Sequence, residues 1–125
     1  MKRRRKMLLF GSLLGATPWV LAGGVPPAEQ VRIDRLIAYV ESRSDVMFVR
    51  NGSAYSNQDA ASFLRGKLSQ MGDQVRTAQE FIDQIATKSS TSGEAYTIRF
   101  ADGKTEPSAK FLGDELRRIK AAAKY

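Results

Sequence analysis

The chain contains no cysteine and no histidine. These two absences exclude a thiol nucleophile, an imidazole base and a Cys/His zinc site. They also exclude a disulfide staple and a lipid-modified cysteine, so the fold must be held by its hydrophobic core alone. Proline is scarce at four residues, and two of these are adjacent at Pro26 and Pro27. Acidic side chains are outnumbered, 13 Asp plus Glu against 20 Lys plus Arg, for a formal charge of +7 over 125 residues. That excess is local. Lys2, Arg3, Arg4, Arg5 and Lys6 carry five of the positive charges, and without them 15 against 13 leaves only +2. No basic stripe interleaves with aromatic residues elsewhere, so nucleic acid is not an expected partner.

What is present begins with an address. The basic hexapeptide precedes an apolar run from Met7 to Leu14, interrupted only by Gly11 and Ser12, and then a closing stretch from Trp19 to Ala22. A charged region, an apolar region and a small-residue end predict a secretory signal peptide over residues 1–22, with cleavage after Ala22. Its product is expected to be periplasmic or secreted. The alternative is an uncleaved segment anchored in the inner membrane, through which alone the protein would meet a membrane. Against an anchor stand Gly11, Gly15, Pro18, Gly23 and Gly24, because a spanning helix needs about 20 predominantly apolar residues. Residues 23–28 read as a linker and residues 29–124 as a single domain.

Within that domain, Ile33, Leu36, Ile37 and Val40 fall on one helical face. Val46 to Val49 form a strand, and Arg50-Asn51-Gly52 a tight reversal, since Asn and Gly both accept positive φ. Ser56 caps a second helix running to about Met71, which Gly72 stops. Thr77-Ala78-Gln79-Glu80 is a capping box that starts a third helix, burying Phe81, Ile82, Ile85 and Ala86. Ser89 to Gly93 is a polar loop, and Tyr96, Ile98 and Phe100 alternate as a half-buried strand that Asp102-Gly103 turns. Pro107-Ser108 opens a last helix carrying Phe111, Leu112, Leu116 and Ile119. The fold class expected is α+β, order α-β-α-α-β-α, with helices packed on a two- to three-stranded antiparallel sheet.

Phe48-Val49-Arg50-Asn51-Gly52, Thr77-Ala78 before Phe81-Ile82, and Ser89-Ser90 before Ser92-Gly93 and Tyr96 occur in an order that resembles the YfeK-like family of uncharacterised exported bacterial proteins. Tyr55, Ala60, Leu64 and Lys67 extend the likeness, which covers roughly Glu29 to Leu116. The resemblance implies a secreted, periplasmic bacterial protein and brings no activity with it. One departure is Phe63, where members of that family often have His ahead of the Leu matching Leu64. A catalytic role for that His would be lost here.

The least expected feature is Lys67, which falls inside the apolar arc of Ala60, Phe63, Leu64, Leu68 and Met71 on the second helix. Its stem can snorkel, packing apolar while the ammonium reaches water. Otherwise it needs a carboxylate, phosphate or phenol; Glu115 is a candidate carboxylate, although Arg118 offers Glu115 a partner at i+3. Arg50 can be a solvated turn residue and the Ser loop a helix exit. Serine hydroxyls and backbone N–H groups beside Gly also make anion-binding concavities. The expectation is one ligand-binding pocket lined by Arg50, Tyr55, Lys67, Ser90 and Tyr96, with Lys67 at its floor.

No G-x-S-x-G, phosphate-binding loop or dinucleotide fingerprint is present, and no cofactor or metal is implied. The leading expectation is therefore a non-enzymatic envelope module binding an anionic small molecule, a cell-wall fragment or an envelope protein. The alternative is a small hydrolase using a Ser/Lys pair, such as Ser90 with Lys67, or a carboxylate pair, such as Asp59 with Glu80.

Overall fold

The computed structural model describes residues 24–123. The predicted signal segment, residues 1–22, lies outside them. Helix α1 spans Pro27–Ser42, beginning inside the stretch read as linker. Pro27 stands at the first helical position, where a missing N–H costs nothing, and the Pro26 carbonyl accepts from the N–H groups of Glu29 and Gln30. Ile33, Leu36, Ile37 and Val40 all turn inward.

Strands β1 (Val46–Arg50) and β2 (Ser53–Tyr55) form a hairpin closed by Asn51 at φ 51° and Gly52 at φ 81°. Two successive positive φ values match the right-handed twist of the strands. Helix α2 (Asn57–Met71) follows, its first turn held by the Ser56 hydroxyl accepting from Asp59 N at 3.1 Å. Asn57 ties the two helices together: its amide donates to the Glu41 carbonyl at the end of α1. A 3-10 turn, Gly72–Gln74, leads to the short helix α3 (Ala78–Gln84). The Thr77 hydroxyl accepts from Glu80 N at 3.0 Å, and Glu80 returns the contact one residue earlier than expected, accepting from Arg76 N. Glu29 of α1 accepts from Ala78 N at 2.8 Å, so one more orphan donor of α3 is satisfied from another helix.

Strands β3 (Thr97–Phe100) and β4 (Thr105–Pro107) make a second hairpin, turned at Gly103 with φ 89°, and helix α4 (Ser108–Ala122) closes the described residues. The sheet has four strands in the order β2-β1-β3-β4, every pair antiparallel. The α+β class therefore stands, while the expected two to three strands become four. The added strands, β2 and β4, are three residues each and mostly exposed, too short to show a period. Val46, Phe48 and Ile98 face the helices, where Phe48 meets Phe111 edge-on at 6.0 Å. Phe81, Ile33, Leu36, Ile82 and Leu112 complete a dry centre.

Candidate functional site

The register places Phe48 opposite Tyr55 on one side and Ile98 on the other, so their side chains share the face toward the helices. Arg50 lies two residues along β1 on that same face. Helix α2 crosses above and presents Asp59, Ala60, Phe63 and Leu64 to the hairpin. Between them lies a cleft of about 220 Å³, bordered by the aromatic rings of Phe48, Tyr55, Phe63 and Tyr96, with Arg50, Asp59 and Ser108 as its polar members.

A second cleft, about 310 Å³, opens beside it between α2 and the Ser89–Thr91 loop, and Lys67, Ser90 and Gln70 line it. Arg50, Phe63 and Tyr96 border both. They form the dividing wall: Phe63 and Tyr96 meet edge-on at 5.8 Å, and the Arg50 guanidinium lies 4.5 Å from the Phe63 ring centre. The single pocket expected from the sequence is thus two. Arg50, Tyr55 and Tyr96 face the first, whereas Arg50, Lys67, Ser90 and Tyr96 face the second. Arg50, Phe63 and Tyr96, which border both, stand between Tyr55 on one side and Lys67 and Ser90 on the other.

Lys67 is 8% exposed, and its ammonium donates to the Lys88 carbonyl at 2.9 Å and to the Tyr96 hydroxyl at 3.1 Å. The ammonium also sits 5.0 Å from the Tyr96 ring centre. The partner is thus the phenol, from the set of carboxylate, phosphate or phenol. Glu115 is buried but takes both its bonds from Arg118, at 2.8 and 2.6 Å. A local i+3 partner wins over a distant lysine.

Arg50 is different. Its guanidinium makes no hydrogen bond and no ion pair with any described residue, and its Nε is buried without a partner. A buried N–H left unpaired costs about 1–3 kcal/mol, so the group is poised for an acceptor. Stacking on Phe63 recovers part of that cost.

The Ser loop is built around Ser89 rather than Ser90. Ser89 is 2% exposed; its hydroxyl accepts from Thr91 N and Ser92 N at 3.3 Å and pairs with the Thr91 hydroxyl at 3.0 Å. Asn51 braces the loop from the hairpin turn, accepting from the Ser92 hydroxyl at 2.5 Å. Ser90 is left exposed at the mouth of the second cleft. Lys67 and Ser90 line the same cleft, but the Lys67 hydrogen bonds run to the Lys88 carbonyl and the Tyr96 hydroxyl and none joins it to the Ser90 hydroxyl. The alternative carboxylate pair is also separated in role, since Asp59 faces the first cleft while Glu80 caps α3.

The strongly displaced titrations lie away from the clefts. Asp45, at the turn after α1, is held down to about 2 by two 2.8 Å bonds from Arg43. Glu29 lies below its ordinary value mainly because it accepts the Ala78 N–H. Among the described residues, no group of three His, Cys, Asp or Glu is placed to hold a metal ion, and no helix is long and apolar enough to cross a membrane.

A family described as a family of unknown function (DUF5329) matches residues 27–120, and the chain belongs to it. Over 68 residues the chain is 38% identical to the uncharacterized protein YfeK of Salmonella typhimurium, covering 54% of this chain. It spans 57% of that relative's length. No solved structure matches.

Proposed function

We propose that this member of the DUF5329 family is a small-ligand-binding module of the bacterial cell envelope, and that its ligand carries an anionic group received by Arg50, with Lys67 close behind the shared wall. The observation that carries this reading is the Arg50 guanidinium, half-buried, unpaired and with its Nε desolvated, at the border of both clefts. A partly desolvated cation with no carboxylate partner gains from an anion brought by a ligand. The rigid frame supports it: Asn51 and the Ser89 loop brace the turn that carries Arg50, and Tyr96 holds the neighbouring ammonium. Concave, largely apolar clefts with a few convergent polar groups are the usual form of small-molecule sites. Placement in the envelope rests on the reading of residues 1–22 as a cleaved signal. Mass spectrometry of the exported product is expected to find an N-terminus within two residues of Gly23, and an intact chain confined to the membrane fraction would replace cleavage with anchoring.

The test of binding is an unbiased screen of small anions by thermal shift, because whatever binds only the folded state raises its apparent stability. Hits are then repeated on Arg50→Gln and Lys67→Met. Loss of binding in either variant supports the site; hits indifferent to both, or a screen that stabilises nothing, refute it.

A further inference from the structure

The first cleft holds a second unpaired charge of opposite sign. Asp59 faces it from α2, one turn before Phe63, and its carboxylate makes neither an ion pair nor a side-chain hydrogen bond with any described residue. Arg50 faces it from β1 in the same unpartnered state. Two opposite charges that border one cleft of about 220 Å³ would normally meet if their side chains could reach each other. Here they stand on separate elements and form no ion pair, and the aromatic rings of Phe48, Tyr55, Phe63 and Tyr96 line the same cleft.

We infer that the first cleft binds an α-amino acid with an aromatic side chain, the carboxylate taken by Arg50, the ammonium by Asp59, and the ring among Phe48, Tyr55, Phe63 and Tyr96. This deepens the proposed function and rests on its assignment of Arg50 as the anion receptor. Three observations select the class. A guanidinium with its Nε buried and unpaired and an exposed carboxylate on the same cleft match a ligand carrying both charges, and a simple anion would leave Asp59 facing it in repulsion. The volume suits a single ring with a short polar end, since an apolar cavity of about 150 Å³ accepts benzene. The lining is aromatic rather than aliphatic, and ring pairs prefer edge-on or offset contact at about 4.5–7 Å, the arrangement Phe63 and Tyr96 already show at 5.8 Å.

The experiment is isothermal titration of the full chain with four probes: L-phenylalanine; 3-phenylpropanoate, which lacks the ammonium; 2-phenylethylamine, which lacks the carboxylate; and L-alanine, which lacks the ring. Phenylalanine is expected to bind, and each of the others to bind about tenfold or more weaker. Asp59→Asn should weaken phenylalanine about tenfold and leave 3-phenylpropanoate as tight or tighter, since the repulsion is gone; Asp59 is exposed, so the variant keeps its fold. Arg50→Gln should weaken both and leave 2-phenylethylamine as tight or tighter. If phenylalanine and 3-phenylpropanoate bind equally and Asp59→Asn alters neither, the amino-acid inference is wrong while the anion-binding reading stands. If none of the four binds but another anion is lost on Arg50→Gln, the inference again fails alone. If no anion depends on Arg50 or Lys67, both fail.

Discussion

Replacing Lys67 with Met keeps the stem that packs beside Phe63 and deletes the ammonium, so it isolates the charge. In the folded chain that ammonium donates to the Lys88 carbonyl and the Tyr96 hydroxyl at 2.9 and 3.1 Å, with the residue only 8% exposed. A hydrogen bond to a charged group contributes about 1.5–3 kcal/mol. Against this stands the desolvation of the ammonium, several kcal/mol that the variant no longer bears. The two nearly cancel, and what remains is two oxygens stripped of a donor. Lys67→Met is therefore expected to lose about 1–2 kcal/mol, the lower part of the cost of one unpaired buried polar group. For a domain of this size that corresponds to a fall of about 4–16 °C in the unfolding midpoint.

The single variant does not isolate the bond, because desolvation enters with the opposite sign. A double-mutant cycle does. Tyr96→Phe removes the acceptor and keeps the ring that meets Phe63, and Lys67→Met/Tyr96→Phe removes both ends. Urea unfolding of all four proteins at pH 7 should show the double variant losing less than the sum of the singles by about 1 kcal/mol. Additivity within about 0.5 kcal/mol would show that the two groups do not interact in solution. The ammonium would then be snorkelling to water, and the second cleft would lose its fixed cation.

Three further outcomes test the frame. Thr77→Ala should cost about 1 kcal/mol as a lost N-cap, whereas Phe81→Ala, at a fully buried ring, should cost about 3–5 kcal/mol by urea midpoint; equal small losses would contradict the placement of α3. Gly52→Ala should cost about 1–2 kcal/mol, since φ is 81° there, and the same change at Gly66, a helical position with open space around it, should be neutral or stabilising. Glu29 tests linkage: its folded carboxyl lies below the ordinary 4.5, so its contribution is present in full above that value and fades as pH falls through the folded one. The stability advantage of wild type over Glu29→Gln should be full above the ordinary 4.5 and shrink as pH falls below it, and a gap that widens on acidification would reverse the sign of the argument.

Local chemistry explains which parts of this fold were legible. Ser56 and Thr77 were readable as caps because a hydroxyl needs only the backbone N–H three residues on, and both bonds are present. The apolar faces of α1 and α4 were readable from their spacing alone. The short strands were not. Ser53-Ala54-Tyr55 and Thr105-Glu106-Pro107 have no propensity that marks them, and they become strands only because β1 and β3 offer open edges to pair with. Pro27 was misassigned to a linker because proline forbids helix for the residue before it, not for itself.

The site divides along the same line between local and long-range cause. Lys67 was conspicuous because an apolar arc is a local pattern, and a cation in it breaks the pattern wherever the helix packs. Its partner was not, because Tyr96 reaches it across 29 residues through the meeting of α2 with the start of β3. Glu115 looked equally suited by burial, yet Arg118 lay one turn away and needed no tertiary contact to reach it. Asp59 shows the limit most clearly. In the sequence it is an acid in the first turn of a helix, fully accounted for by the helix end. Only when α2 lies across the β1–β2 hairpin does the same carboxylate face Arg50 over a cleft of rings, and neither charge has a nearer partner. A residue with an adequate local explanation hides a second role, so acids in first turns and arginines beside Asn-Gly turns have to be judged by whether the fold leaves them paired.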